Sequence, residues 1–444
     1  MRNSVLYVSV TAAALAFAQG ARADEASGNW SKERKALAAR GITYELTYTS
    51  EWLANVSGGL RTGSVYQGKL EGAISADLEK LMGWSGWKFY ANAFQIHGTG
   101  GIGGEYVGSL NTVSNIEARP TTRLSEIWLE RAFANDKASF RFGQLTADSE
   151  FLISDYGSFF LSNDWPTITK QNLPGGGPAY PLSTPGVRLK YEPTKDTAFL
   201  VALFNGDPST PGAEDPEVAN RYGLNFRVND TPLLMAEMQF RDNWDDKARG
   251  LARAVRIGGW YHFGKFEDQR FGTDGLSLAN PFSNGIPRPF TANQGVYGII
   301  DQQLYRPEGG DHESGITSYA RISAAPSDRN LIEFYLDGGI IASGGMWGRP
   351  DDKFGASFIY SRISNRVRGY EQDLNAYTGL MQAQRNYELS LELTYVAQIR
   401  NNWTLQPDFQ YIINPSGQAA APDGSVRTPL KNAMVVGVRS IIKF

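Results

Sequence analysis

The sequence predicts an all-β protein, a transmembrane antiparallel β-barrel of sixteen or eighteen strands. Three observations support this fold class. Apolar and polar side chains alternate over many segments, aromatic residues gather at the ends of these segments, and 48 glycines and 21 prolines supply turns. No apolar run reaches the length of about 18 residues that a membrane-spanning helix requires.

The alternation is clearest in residues 387–395. Every odd-numbered residue there is Tyr or Leu, and every even-numbered residue is Glu, Ser or Thr. A β-strand sends successive side chains to opposite faces, so one face is apolar with tyrosine at both ends and the other is polar. This pattern is typical of a strand with lipid on one side and a watery lumen on the other.

The pattern recurs in seventeen candidate strands, from 42–54 to 432–444. Barrels formed by one bacterial chain have even strand numbers, so one candidate is wrong, and 295–306 has the weakest pattern. A soluble β-sandwich also alternates. The number of similar strands, the aromatic strand ends and a final strand that ends in Phe444 favour the barrel.

The first residues have the layout of a secretory signal. Arg2 precedes an apolar stretch from Val5 to Ala18, and Ala21-Arg22-Ala23 resembles a cleavage site. We therefore expect residues 1–23 to be a signal peptide, 24–41 to be a short periplasmic segment with an amphipathic helix, and 42–444 to be the barrel. The absence of cysteine means that disulfides do not stabilise the exported chain.

Four long connections interrupt the strands, at 98–121, 147–184, 265–294 and 414–431. The 147–184 segment is rich in Gly, Pro and aromatic residues. Connections of this length are often functional. We expect this one to fold into the barrel and narrow the pore, with an ordinary surface loop as the alternative.

Several segments resemble the OprB-type carbohydrate-selective porin family. The matching pieces lie along nearly the whole chain after residue 41 and include Asn-Val-Ser-Gly-Gly at 55–59, Glu-Ile-Trp-Leu-Glu at 126–130, Phe-Asn-Gly-Asp-Pro at 204–208 and Arg-Pro-Asp-Asp at 349–352. Each piece alone is weakly specific, but their order and spacing together are specific. The resemblance implies a sixteen-stranded barrel that passes monosaccharides, and it leaves the individual solute open.

Motifs for catalysis, metals and nucleotides have weak support. Residues 98–103 match a dinucleotide-binding glycine pattern but lack the helix that must follow, and 63–69 lacks the Ser or Thr of a phosphate loop. Three histidines without ligand spacing predict no metal site. We expect no cofactor and no enzymatic activity. The 46 acidic residues outnumber the 43 basic ones, which argues against a nucleic-acid partner.

The period of two places a set of polar side chains on the lumen face. Glu126, Trp128 and Glu130 form a carboxylate–indole–carboxylate row that could bind a sugar or could be a structural network paired with arginines. Further acidic and basic residues would line opposite walls. The predicted substrate-binding residues are Glu126, Trp128, Glu130, Arg141, Arg188, Glu333, Asp337 and Glu392.

The sequence thus predicts a bacterial outer-membrane porin for passive diffusion of small sugars. The alternatives are a porin for organic acids, an outer-membrane hydrolase and a secreted soluble β-sandwich. The predicted partners are sugars, membrane lipid and the barrel-assembly machinery, which would engage the strand that ends in Phe444. A monomer and a trimer are both consistent with the sequence.

Overall fold

The computed structural model describes residues 32–245, 248, 250–344, 349–420 and 428–444. The predicted signal peptide, residues 1–23, lies outside the described residues. Within them, sixteen strands form one closed antiparallel barrel in which each strand pairs with its neighbours in sequence. This confirms the predicted fold class and excludes the soluble sandwich, because no sheet edge remains open.

The strands vary greatly in length, from 8 to 20 residues. Their bounds are β1 Ile42–Ser57, β2 Gly63–Asp77, β3 Trp87–Gly98, β4 Thr121–Phe133, β5 Ala138–Leu145, β6 Thr184–Thr194, β7 Thr197–Phe204, β8 Leu233–Asp242, β9 Arg253–Gly272, β10 Pro287–Tyr305, β11 Gly315–Ala324, β12 Ile332–Ser343, β13 Lys353–Ile363, β14 Tyr387–Arg400, β15 Trp403–Ile413 and β16 Ala433–Lys443.

Closure depends on the first and last strands. The register between β1 and β16 starts at Thr47 opposite Lys443 and ends at Ser57 opposite Met434. One end of the barrel has short turns, such as 195–196 and 401–402, and the other end has the long loops. Outer-membrane barrels place short turns on the periplasmic side, which orients this barrel.

Helices are short and lie in the connections. The α-helices of the described residues are α1 at 32–39, α2 Leu78–Met82, α3 Thr167–Asn172, α4 Pro216–Ala219, α5 Asn365–Thr378 and α6 Pro415–Gln418. Helix α1 falls inside the predicted N-terminal segment. Asp77 caps α2, and Ser364 caps α5 through its side-chain oxygen. None of the helices in the described ranges is long and apolar enough to cross a membrane.

One predicted strand is wrong, and it is not the one with the weakest pattern. Residues 295–306 lie in β10 and its end, whereas the predicted strand at 219–229 starts at the end of helix α4 and has no strand assignment. The alternation of Tyr222, Leu224, Phe226 and Val228 predicted a strand there, but this segment contributes no strand to the closed barrel.

The predicted long loop at 265–294 is also mostly wrong. Strand β9 continues to Gly272 and β10 begins at Pro287, so a hairpin extends beyond the rest of the wall. The two prolines of β10, Pro287 and Pro289, flank a register shift, where a missing N–H is tolerated. Their presence in the sequence indicated a loop, although they lie in a bulged strand.

The inner face of the wall is less polar than predicted. In β7, Phe199, Val201 and Leu203 are exposed on the outside, while Leu200 and Phe204 are buried on the inside. The buried side chains belong to a hydrophobic cluster that includes residues from β8, β9 and β10. Contact between water in the lumen and this apolar face would be unfavourable, so another part of the chain must cover it.

Candidate functional site

The inserted loop, residues 146–183, covers the apolar inner face. Phe151 of this loop packs edge-to-face on Phe204 of β7 with ring centroids 6.4 Å apart. Leu152, Trp165 and Leu173 join the same cluster. The loop therefore folds into the barrel, as the sequence predicted, and apolar residues of β5 and of β7 to β10 hold it there.

Carboxylates of the wall hold the inserted loop through its backbone. Glu392 of β14 accepts hydrogen bonds from the N–H groups of Leu161 at 2.8 Å and Ser162 at 3.0 Å. Asp301 of β10 accepts from the N–H groups of Asp155 and Tyr156, both at 3.2 Å. These bonds satisfy backbone donors of an irregular segment in the interior, where water is scarce.

A second loop, residues 99–120, is held in the same way. Glu388 of β14 accepts from Ser109 Oγ at 2.6 Å and from the N–H groups of Leu110 and Asn111 at 2.9 and 2.8 Å. Val107 and Val113 of this loop are buried in a hydrophobic cluster. The sequence analysis identified 98–121 as a long connection but did not predict that it folds inward.

Asp337 belongs to a buried ion pair with Arg321 on the neighbouring strand. Arg321 Nη2 lies 2.7 Å from Asp337 Oδ2, and both side chains are buried. The same guanidinium donates to the carbonyl oxygens of Leu152 at 2.9 Å and Asp164 at 3.2 Å. The pair therefore connects β11 and β12 to the inserted loop, and Asp337 is enclosed by these contacts.

Glu130, Arg141 and Arg188 form a four-membered ion network with Glu150 of the inserted loop. Glu130 lies 2.9 Å from Arg141 and 3.1 Å from Arg188. Glu150 lies 2.8 Å from Arg188 and 3.4 Å from Arg141. Each charge therefore has two partners of opposite sign. For Glu130 this arrangement agrees with the second possibility from the sequence, a structural network paired with arginines.

Trp128 stacks on Tyr90 of β3, with ring centroids 5.0 Å apart and an angle of 23°. The guanidinium of Arg141 lies 3.8 Å from the centroid of the same indole ring. These two groups compete with a sugar for the faces of the ring. Glu126, two residues earlier, accepts from the N–H of Thr146 at 3.0 Å where the inserted loop begins.

Glu333 differs from the other predicted residues. It lies at a register shift between β12 and β13 and pairs with Arg362, whose side chain is largely exposed, at 3.2 Å. Its carboxylate also accepts from the N–H of Asn365 at the start of α5. The bulge interrupts the period of two, so Glu333 does not share the inner face of Tyr335 and Asp337. It lies instead at the rim of the barrel, next to Arg362 and Asn365.

The place where the inserted loop meets β2 contains residues that the sequence analysis missed. Lys69 Nζ lies 5.0 Å from the ring centroid of Tyr180 and 4.9 Å from that of Phe94. Glu71 lies 3.1 Å from the same ammonium. Asp148 Oδ2 accepts from the N–H of Tyr180 at 2.7 Å.

We call Lys69, Glu71, Asp148 and Tyr180 the lysine–tyrosine contact. Its side chains combine both charges and an aromatic ring. The lumen position of Lys69 and Glu71 follows from their period, but the partner loop residues lie far away in sequence.

Burial changes the proton affinity of carboxyls in the inserted loops. It raises the pKa of Asp148 to about 6, against the opposing effect of the Tyr180 N–H. It also raises the pKa of Asp164, which Lys170 partly offsets, and the pKa of Glu117 in the 99–120 loop. Desolvation favours the neutral acid in each case.

The described residues contain no group of three or more His, Asp or Glu side chains arranged to hold a metal ion. The polar side chains of the lumen are instead bound to each other and to loop backbone. The arrangement positions two loops inside the barrel and places charged and aromatic side chains together on its inner wall.

A closed membrane-type barrel with two inward-folded loops defines a porin of the bacterial outer membrane. The model of the family "Carbohydrate-selective porin, OprB family" matches residues 61–444. The chain therefore belongs to this family, and its function is that of an outer-membrane carbohydrate porin. Family and fold indicate a channel and not an enzyme.

Two curated relatives span nearly the whole chain. Porin B of Pseudomonas aeruginosa is 23% identical over 438 residues, covering 93% of this chain and 89% of that protein. The putative porin QuiX of Acinetobacter baylyi is 20% identical over 425 residues, covering 90% of each chain. Both comparisons agree with the family assignment.

A solved structure confirms the fold. The high-pH structure of Pseudomonas putida OprB superposes with a TM-score of 0.80 at 21% identity, covering 94% of this chain and 97% of that chain. The outer-membrane channel DcaP of Acinetobacter baumannii reaches a TM-score of 0.50 at 12% identity.

Proposed function

We propose that uncharged, monosaccharide-sized sugars diffuse passively through this barrel and touch the lysine–tyrosine contact on the way. The observation that carries the proposal is the position of Lys69, whose ammonium lies beside two aromatic rings and the Glu71 carboxylate where the inserted loop meets the wall. A solute that passes between loop and wall meets these groups together.

The chemistry of these groups suits a sugar. Carboxylates accept hydrogen bonds from hydroxyl groups, the ammonium donates to hydroxyl oxygens, and aromatic edges and faces pack against C–H groups. Binding should be weak, because a conducting site must release its solute. A millimolar dissociation constant corresponds to only about 4 kcal/mol.

The pairing of four arginines argues against organic acids as the preferred solute. Arg141 and Arg188 share Glu130 and Glu150, Arg321 pairs with Asp337, and Arg439 pairs with Glu51. A guanidinium held by carboxylates offers an anion little uncompensated charge. A neutral polar solute can still exchange hydrogen bonds with such groups.

The sequence-predicted residues support this passage in two ways. We propose that Trp128 and Arg141 contribute to the wall on the periplasmic side of the contact, since both side chains are only partly buried and the register aligns Trp128 with Ser75 of β2. Arg188, Asp337 and Glu392 act as positioning residues, because they hold the inserted loop. Glu126 holds the start of the inserted loop through the N–H of Thr146, and Glu333 holds the start of α5 at the rim.

Planar-bilayer conductance tests the proposal. Glucose-like sugars should reduce the ionic current through the wild-type channel, and Lys69→Ala should weaken this block because it removes the cation from between the two rings. Lys137→Ala is the matched control, since Lys137 is exposed in the turn between β4 and β5. The control should behave as the wild type.

Two results would contradict the proposal. One is an unchanged sugar block in a folded Lys69→Ala channel. The other is a stronger block of the wild-type channel by carboxylates than by sugars of the same size, which would favour the organic-acid alternative.

We further propose that residues 1–23 direct export and are removed, and that the barrel-assembly machinery recognises strand β16. The Arg2 start and the Ala21-Arg22-Ala23 pattern support the first point. Mass spectrometry of the protein from outer membranes should give a chain that begins near Asp24. A chain that retains Met1 would contradict the proposed cleavage.

A further inference from the structure

The rim segment, residues 221–228, has an apolar face that the fold leaves open. Leu224 is 61% exposed, Phe226 is 50% exposed and Val228 is 78% exposed. Asn225 and Arg227, which lie between them, are half-buried, and Gly223, which precedes Leu224, is buried. The side chains of this segment therefore do alternate, with one side against the protein and the other side exposed.

Hydrogen bonds fix both ends of the rim segment to the barrel. The carbonyl oxygen of Tyr222 accepts from the N–H of Leu124 in β4 at 3.1 Å. The carbonyl oxygen of Gly223 accepts from Gln144 Nε2 of β5 at 2.7 Å. Just after the segment, the N–H of Asp230 donates to Asn205, the residue that follows β7, at 2.9 Å.

Between these anchors the chain must cross the upper ends of β5, β6 and β7. Polar groups of the backbone and side chains within this stretch bind protein atoms. The N–H of Asn225 donates to Asn220 at 3.2 Å, and Arg227 pairs with Asp230 at 2.6 Å. The apolar side chains thus point away from the protein groups that the segment touches.

The wall below the rim segment is unusually short. Strands β5 and β7 have 8 residues each. At about 3.4 Å per residue and a tilt of about 40°, such a strand covers roughly 21 Å of membrane, whereas the apolar band of an outer-membrane barrel is about 25 Å tall. These two strands alone leave the upper edge of the band incomplete.

We propose that the rim segment completes the lipid-facing band above β5–β7, with Leu224, Phe226 and Val228 inserted among the outer-leaflet lipids. Its open face continues the exposed apolar surface formed by Phe142 of β5 and Leu203 of β7. Lipid is the occupant because this surface is already the membrane interface of the barrel. The missing height of the short strands equals about one further layer of side chains.

Site-directed spin labelling in lipid vesicles tests the inference. The chain has no cysteine, so single-cysteine variants can be labelled without background. Labels are placed at Leu224→Cys, Phe226→Cys and Val228→Cys. Leu203→Cys, on the outer face of β7, is the lipid control, and Phe282→Cys, 87% exposed in the loop between β9 and β10, is the water control.

The three rim labels should collide preferentially with oxygen, which concentrates in lipid, and should resemble the label at 203. Preferential collision with a water-soluble nickel chelate, as expected at 282, would overturn the inference. Exclusion of both reagents would indicate contact with a second copy of the chain and would also overturn it. Each labelled variant is first checked for the heat-dependent gel shift of a folded barrel.

A second variant tests the docking without a label. Gly223 has a φ of +67°, and a Cβ there would lie 1.9 Å from the carbonyl oxygen of Leu124. Gly223→Ala should therefore lift the segment from β4, and the label at 226 should lose oxygen contact. Gly212→Ala is the control, because Gly212 has a similar φ of +74° but open space around it. Unchanged oxygen contact in Gly223→Ala would contradict the proposed anchoring.

Discussion

At the scale of single residues, several acidic side chains of the lumen accept hydrogen bonds from the backbone of the loops. Glu392, Asp301 and Glu388 each bind two N–H groups of an inserted loop. Charge-assisted hydrogen bonds of this kind are stronger than neutral ones. The carboxylates therefore determine where the loops lie, and through the loops they determine the shape of the passage.

The buried pair of Asp337 and Arg321 allows a test of this role. Asp337→Asn removes one charge and leaves the Arg321 guanidinium without its carboxylate in the interior. Breaking a buried pair in this way costs about 3 kcal/mol or more. We expect faster hydrogen exchange around Leu152 in the inserted loop, because Arg321 also holds the carbonyl oxygen of that residue.

Asp351→Asn is the control for this measurement, since Asp351 is exposed in the turn before β13. In the Asp351→Asn variant, amide hydrogens of the inserted loop should exchange as fast as in the wild type. Equal exchange in both variants would mean that the ion pair does not hold the inserted loop.

Asp148 predicts a pH effect on ion selectivity. Its pKa is raised to about 6 by burial, so the carboxylate carries a negative charge at pH 7.5 and is mostly neutral at pH 5. A lost negative charge beside the passage lowers the preference for cations. The reversal potential in a salt gradient should therefore shift toward anions on acidification, and this shift should be smaller in Asp148→Asn.

Asp164 lies near Asp148 and also has a raised pKa, so part of the shift should remain in the variant. The sign for stability follows from the same pKa. A carboxyl whose folded-state pKa exceeds its unfolded value destabilises the fold at high pH. The penalty declines as the pH falls below about 6 and is gone only when the pH reaches the unfolded value of 3.8. Identical pH curves for both channels would contradict the assignment.

At the scale of elements, the sequence could predict the strands of the barrel wall but not the segment at 221–228 or the full length of the β9–β10 hairpin. Residues 387–395 alternate because lipid and loop demand different side chains on the two faces. Residues 221–228 alternate for a related reason without entering the barrel, so the pattern alone cannot separate the two cases. The β9–β10 hairpin was missed because its outer part is rich in Gly and Pro.

Among the elements, replacing the inserted loop should change conductance and stability the most. Replacing residues 153–177 by a short Gly-Ser linker should increase the single-channel conductance, because these residues fill part of the lumen. It should also lower barrel stability, since Leu200, Leu233 and Met235 would lose their cover and face water. Conductance and the heat-dependent gel shift measure the two effects.

A linker of the same composition placed at residues 274–285, in the β9–β10 loop, serves as the control. It should leave both quantities near the wild-type values. A loop-replaced channel with wild-type conductance would show that the passage is narrowed elsewhere.

At the scale of the whole molecule, barrel class, strand number and inward folding of the inserted loop were predictable from sequence. The lumen partners were not. Arg321 and Leu152 lie 169 positions apart, and no local pattern connects them. The lysine–tyrosine contact was missed for the same reason, because Tyr180 reaches Lys69 only after the loop has folded inward.

We propose that the barrel forms a passive route suited to neutral sugars. Liposome swelling tests this, with the purified protein in vesicles and solutes of matched size. Vesicles with the protein should swell faster in glucose-sized sugars than protein-free vesicles do, and faster than in carboxylates of similar size. Swelling no faster than in protein-free vesicles, or faster entry of the carboxylates, would contradict it.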